Sequence, residues 1–227
     1  MYSAIVTAAG SGSRMGLGYN KIFYKIFGKT IVEYGVDLFL KDPNCSQVVV
    51  TTAKDDFAQM ATIFAHEAKI QLVVGGFTRQ DSIYRSLQMV KEPLVLVHDS
   101  SRPFVTQQMV DDCCEVVRLG KGAVVAVKVK DTIKTVAIAD QKSIETTLDR
   151  SMLVAAQTPQ AFSTAVLTAA YEAARSAGFV GTDDASLVEK YTKTKICVVA
   201  GNYQNVKFTT PEDIAYFEFL LGKGECR

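Results

Sequence analysis

The sequence predicts an α/β fold: a mostly parallel sheet with helices on both faces, plus a projecting β-arm. Three observations carry this expectation. Short, near-continuous apolar runs alternate with helical patterns, as they must when strands are buried on both faces. The segments that follow these runs gather glycine, hydroxyl and charged residues, where ligands sit in such sheets. A chain of 227 residues, 48% hydrophobic and 22% charged, can build one sizeable core.

Strands are predicted at residues 3–8, 47–52, 71–74, 94–98, 123–129 and 196–200, where β-branched and apolar residues cluster. Helices are predicted between them at 31–39, 55–68, 80–90 and 106–119. Residues 130–149 break the rhythm. They are polar, with short β-branched pieces around an Ala-Asp-Gln-Lys turn, and read as a β-arm at about 130–150, too thin to be stable alone. An arm of that kind needs a partner surface, so a homodimer is expected, with residues 1–227 forming one domain. The last helix is expected to open with Thr210 as N-cap and Pro211 at its first position. Asp183 and Asp184 can cap a short helix over 185–190.

Composition narrows function. Lys and Arg total 25 against 24 Asp and Glu, a formal charge of +1, which lacks the broad positive field of a nucleic-acid or anionic-membrane binder. The first residues have no basic region before a signal-like apolar run, and no stretch reaches the ~18 apolar residues of a membrane span. The cytoplasm is the expected location. Five cysteines form no CxxC pair and only two histidines are present, so neither a zinc site nor a disulfide framework is expected.

The first strand runs into Ala8-Ala9-Gly10-Ser11-Gly12-Ser13-Arg14-Met15-Gly16, whose amides can turn toward phosphate oxygens. Met15 stands where a dinucleotide fingerprint needs its third glycine, and no acidic residue ends the second strand, which argues against a nicotinamide site. No Gly-Lys-Ser/Thr follows either, so this is no Walker A loop. Instead Arg14 and Lys21 bring two cations to the loop, a pair suited to phosphoryl or nucleotidyl transfer. A second loop, Gly75-Gly76 through Ser82, follows the third strand. After the fourth strand come His98, Asp99 and Arg102; Asp99 suits a ribose hydroxyl or a magnesium water, Arg102 a phosphate, and His98 reads as structural. Thr132, Arg150, Thr158 and Lys207 are further candidates that singly read as surface or caps.

In this order, the blocks AAGSGSRMG with Lys21, GGFTRQDSI, VHDSSRPF, VKDTIK, LDR followed by AAQTPQAF, GTDDASLVE and NVKFTTPED resemble the 2-C-methyl-D-erythritol 4-phosphate cytidylyltransferase family of the non-mevalonate isoprenoid pathway. The resemblance spans nearly the whole chain. It implies a Rossmann-like core that dimerises through the arm, with CTP and a small polyol phosphate as substrates and Mg²⁺ carried mainly by the CTP phosphates. It places Ala8, Ala9, Gly10, Gly12, Gly76 and Ser82 around the nucleotide. Arg14, Lys21, Arg150 and Lys207 would be catalytic. Asp99, Arg102, Thr158 and Lys207 would face the acceptor, with Thr132 and Arg150 supplied by a partner's arm.

Three departures from the family's usual pattern stand out. Asn20-Lys21-Ile22 replaces Pro-Lys-Gln, removing the rigidity of proline beside Lys21. Lys128 replaces a proline before the arm, and Ser100-Ser101 replaces Ala-Ala, so a more polar acceptor pocket is expected. The related ribitol 5-phosphate cytidylyltransferases of wall teichoic acid synthesis often carry His-Asp-Ser at that block, which keeps ribitol phosphate open as the acceptor. A non-catalytic nucleotide-binding protein, its site eroded at Asn20 and Ile22, is the third reading.

Overall fold

The structure, a computed structural model, describes residues 1–10 and 18–222. Gly12, Arg14 and Cys226 therefore lie outside the described residues. In chain order the elements are β1 (Tyr2–Ala8), β2 (Lys25–Ile26), β3 (Lys29–Thr30), α1 (Ile31–Lys41), β4 (Cys45–Thr52), α2 (Phe57–Ile63), β5 (Ile70–Val74) and α3 (Arg79–Leu87). There follow β6 (Leu94–Asp99), α4 (Gln107–Arg118), β7 (Gly122–Lys128), β8 (Lys134–Val136), β9 (Ile144–Thr147) and β10 (Val154–Ser163). The chain continues through α5 (Thr164–Ser176), α6 (Asp184–Tyr191), β11 (Ile196–Ala200) and α7 (Asp213–Gly222).

Among the described residues, seven strands form one sheet in the order β11-β7-β10-β6-β1-β4-β5. Only β10 runs against the others, pairing antiparallel with both β6 and β7. The apolar strands are buried on both faces, which explains their lack of polar alternation. In β1, Ala4, Val6 and Ala8 join the core shared with Val32 and Val36 of α1 and Val110 of α4. Ile5 points the other way, into the core shared with Ile83 of α3, Leu167 of α5 and Leu187 of α6. A third cluster, with Phe104, Phe208 and Phe217, seats α7 against Ile26 and Ile31. Each buried Val, Ile, Leu or Phe among them contributes about 1.5–3 kcal/mol by leaving water.

The predicted strands are all present, and the structure adds β10 and α5, which the sequence pattern did not show. The predicted helix 55–68 is shorter, ending at Ile63. The last helix does not begin with Thr210 as N-cap. It is assigned from Asp213, whose Oδ2 accepts from the backbone N–H groups of Thr209 and Thr210 at 2.6 and 2.8 Å. The acidic residue expected three positions after Thr210 does reach back to its N–H, while the helix itself is assigned only from Asp213.

Where the arm was expected, β8 and β9 pair only with each other as an exposed antiparallel ribbon. Cys45, Cys113 and Cys114 are free and buried. Burial pushes their thiols up to about 11, 12 and 11, so they are not nucleophiles at neutral pH.

Candidate active site

A cavity of about 450 Å³ opens at the carboxyl ends of β1 and β6, between the segments that follow β1, β5 and β6. Chain order reverses here: β4 lies on one side of β1 and β6 on the other, the switch point at which open α/β sheets bind ligands. Gly35 lets α1 close on this end, because a Cβ there would stand 2.4 Å from the Ser100 carbonyl oxygen.

Ala8, Ala9 and Gly10 form one wall. Lys21 enters from a one-turn 3-10 helix, Lys21–Phe23, capped by Asn20. Asn20 Oδ1 accepts from the Ile22 N–H at 3.3 Å, while its Nδ2 donates to Asp56 Oδ2 at 2.8 Å and to the Ala8 carbonyl at 3.5 Å. The rigidity that a proline would supply is thus replaced by hydrogen bonds that tie Lys21 to the end of β1. The Lys21 ammonium donates to the Phe208 carbonyl.

The opposite wall is the segment from Gly75 to Ser82. The Gly76 N–H donates to Ser82 Oγ at 3.0 Å, and that hydroxyl donates to the Thr78 carbonyl at 2.9 Å. A Cβ on Gly76 would lie 2.3 Å from the Asp81 Cβ, so the turn excludes any side chain. Thr78 and Asp81 form a capping box that starts α3.

The floor is electrostatic. Asp99 Oδ2 lies 2.7 Å from Lys207 Nζ and 3.9 Å from Arg102 Nε, and Asp99 Oδ1 lies 3.5 Å from Arg79 Nε. Thr7 Oγ1 donates to the same carboxylate at 3.1 Å. Burial works to raise the Asp99 pKa, but the charges of Arg79 and Lys207 outweigh it and hold the carboxyl well below its usual range. Arg79 also bonds Asp184 Oδ2 at 2.9 Å, and Asp184 is fully buried and takes the Tyr171 hydroxyl as well. Arg79, Arg102 and Lys207 thus converge on Asp99, with Arg79 shared with Asp184, and Lys21 lines the same cavity, a gathering of cations suited to phosphates.

Behind this floor His98 is fully buried, and burial lowers its pKa to about 4. Its Nε2 lies 2.9 Å from the Arg102 carbonyl, an acceptor only, so Nε2 carries the proton. Its Nδ1 then accepts from the Thr158 hydroxyl at 3.0 Å, and Thr158 Oγ1 accepts from the Asp99 N–H at 3.1 Å. His98 is structural, as the sequence implied.

Of the expected site residues, Ala8, Ala9, Gly10, Lys21, Gly76, Ser82, Asp99 and Lys207 line the cavity. Arg102 and Thr158 do not line it. They stand one layer behind, Arg102 donating to the Asn205 carbonyl at 2.7 Å and Thr158 bound to His98 and Asp99. Thr132 and Arg150 are exposed at the two ends of the ribbon segment, and Arg150 donates to the Lys130 carbonyl. Ser100 lines the cavity but donates to the Thr7 carbonyl at 2.7 Å, so its hydroxyl adds less polarity to the pocket than expected. The residue missed from sequence is Arg79. It sits inside the GGFTRQDSI block, but its carboxylate partners lie far along the chain, in β6 and α6.

Among the described residues, no group of three or more His, Cys, Asp or Glu is arranged to hold a metal. Among the described residues that line the cavity, Asp99 alone carries a carboxylate. That donor set fits a magnesium ion held chiefly by substrate phosphates and water, not one enclosed by protein ligands. No helix among these residues is long and apolar enough to cross a membrane.

The family model described as IspD, 2-C-methyl-D-erythritol 4-phosphate cytidylyltransferase, matches residues 2–223. The enzyme of that name from Bacillus cytotoxicus is 43% identical over 225 residues, covering 97% of this chain and 98% of its own. That from Bacillus velezensis is 41% identical over 224 residues, covering 97% and 95%. The crystal structure of 4-diphosphocytidyl-2C-methyl-D-erythritol synthase from Anaerococcus prevotii superposes with a TM-score of 0.86 at 32% identity, covering 97% of this chain and 95% of that one. The Francisella tularensis cytidylyltransferase gives 0.81 at 28% identity, covering 96% and 99%.

Proposed function

The chain belongs to the 2-C-methyl-D-erythritol 4-phosphate cytidylyltransferase family, and from that premise we propose that the cavity between the ends of β1, β5 and β6 is its active site. The protein is a cytidylyltransferase: it transfers CMP from CTP to 2-C-methyl-D-erythritol 4-phosphate and releases pyrophosphate, a step of non-mevalonate isoprenoid precursor synthesis. The observation that carries the site assignment is the group of cations around Asp99, set beside a cradle that refuses side chains.

An oxygen of the acceptor phosphate attacks the α-phosphorus of CTP in line. A new P–O bond forms, the bond from the α-phosphorus to the bridging oxygen breaks, and pyrophosphate leaves with that electron pair. The attacking oxygen is already ionised at neutral pH, so no strong general base is needed; His98, buried and neutral, offers none. Lys21, with Arg14 from the first loop, neutralises charge building around the α-phosphorus. Gly76 and Ser82, with Ala8, Ala9, Gly10 and Gly12, hold the nucleotide. Lys207 and Asp99 face the acceptor, while Arg102 and Thr158 fix Asp99 from behind. A magnesium ion, when bound with the substrate phosphates near Asp99, would supply further charge neutralisation.

The functional unit in this proposal is a homodimer of the single 1–227 domain. What supports it is the ribbon: Ile138, Ile144 and Met152 are largely exposed there, and a two-stranded ribbon is marginal without a partner. Thr132 and Arg150 would then complete the site of the other subunit. Free buried thiols suit the reducing cytoplasm.

The test is pyrophosphate release from CTP and Mg²⁺ with methylerythritol phosphate or ribitol 5-phosphate as acceptor. Turnover confined to methylerythritol phosphate is expected; preference for ribitol phosphate overturns the acceptor assignment. The relatives above favour the first outcome, and a non-catalytic role finds no support among them.

A further inference from the structure

The cavity is divided by charge. Lys21, Lys207, Asp99 and the Arg79 guanidinium gather at one end. The rim formed by Gly76, Phe77, Thr78 and Ser82 carries no charge. A nucleoside triphosphate placed with its phosphates among the cations leaves its base at that uncharged rim. Phe77 is the most exposed of the large hydrophobic residues described, its ring fully in water. Its backbone is held on both sides, because the Gly76 N–H donates to Ser82 Oγ at 3.0 Å and the Thr78 N–H donates to Asp81 Oδ2 at 3.2 Å. An apolar ring left in solvent on a fixed turn, at the edge of a nucleotide-sized cavity, is arranged to cover a flat ligand.

We propose that Phe77 is a stacking platform for the nucleobase, its ring closing over one face of the bound pyrimidine. The inference rests on the cytidylyltransferase reading of this cavity. Stacking tolerates any base, so Phe77 contributes affinity, while the choice of cytosine falls to the polar groups of the same rim.

Titration calorimetry with CTP compares the wild type, Phe77→Ala and Phe77→Tyr. Phe77→Ala is expected to bind CTP about tenfold more weakly, whereas Phe77→Tyr stays near the wild type. The chain contains no tryptophan, so Phe77→Trp provides a single emission to follow. Saturating CTP is expected to quench it, and inorganic pyrophosphate is not. Equal CTP affinity in Phe77→Ala, unchanged emission on adding CTP, or loss of the dimer without loss of affinity overturns the inference. Wild-type turnover, measured alongside, separates the two readings: without CTP-dependent pyrophosphate release the cytidylyltransferase assignment itself fails, whereas normal turnover with an indifferent Phe77 refutes the stacking alone.

Discussion

Asn20 carries three hydrogen bonds in a position where an exposed loop asparagine would be solvated, and all three serve the turn that holds Lys21. Asn20→Ala should cost about 1 kcal/mol in chemical denaturation, the usual cost of a lost cap, and should lower kcat more than it raises KM for CTP. His98 gives a second prediction. Its folded pKa, about 4, lies below the ordinary 6.5, so the unfolded chain takes up a proton that the folded chain refuses. The resulting stability is fully present above about pH 6.5 and is lost as pH falls toward 4. Unfolding free energies from denaturant titrations at pH 7 and pH 5 should differ by about 2 kcal/mol from this group, and His98→Gln should remove that part of the difference. The structural role of His98 was expected from the sequence, but the partners that establish it, the Arg102 carbonyl and the Thr158 hydroxyl, come together only in the fold. The importance of Arg79 was not legible in the sequence, because a charge in a loop reads as solvated until the fold brings Asp99 and Asp184 to it.

At the scale of elements, Arg79 joins α3 to α6 and to the end of β6. Asp184 has no exposure, so removing its cation leaves a buried charge unpaired. Arg79→Ala should therefore destabilise the protein by about 3 kcal/mol in urea denaturation, and Arg79→Ala combined with Asp184→Asn should recover part of that loss. The parallel strands were readable because both of their faces are apolar. Strand β10 was not, because its sequence, VAAQTPQAFS, carries Gln157, Thr158 and Gln160 where a central strand usually has aliphatic residues. These side chains are buried by being bonded. Gln157 donates to the Asn202 carbonyl at 3.0 Å, and Gln160 donates to Asp183 Oδ2 at 2.8 Å while accepting from the Ala185 N–H at 2.9 Å. Tertiary partners override local propensity there, and those partners are invisible to periodicity.

Across the whole molecule, the sheet brings the segments that follow β1, β5 and β6 together around one cavity. The ribbon of β8 and β9 is inserted between the neighbouring strands β7 and β10. In the proposed dimer, sedimentation equilibrium should give twice the mass of the chain, and Ile138→Asp with Met152→Asp should shift it toward a monomer with reduced turnover. A fully active monomer would refute the shared site.

The most direct test of the account is the turnover of CTP and methylerythritol phosphate, followed by pyrophosphate release, in the wild type and in Lys21→Ala. If this cavity performs the transfer, the wild type turns over and Lys21→Ala loses about 100-fold in kcat, the effect of removing about 3 kcal/mol of transition-state stabilisation. Near-normal turnover by Lys21→Ala would contradict the placement of the chemistry at this site.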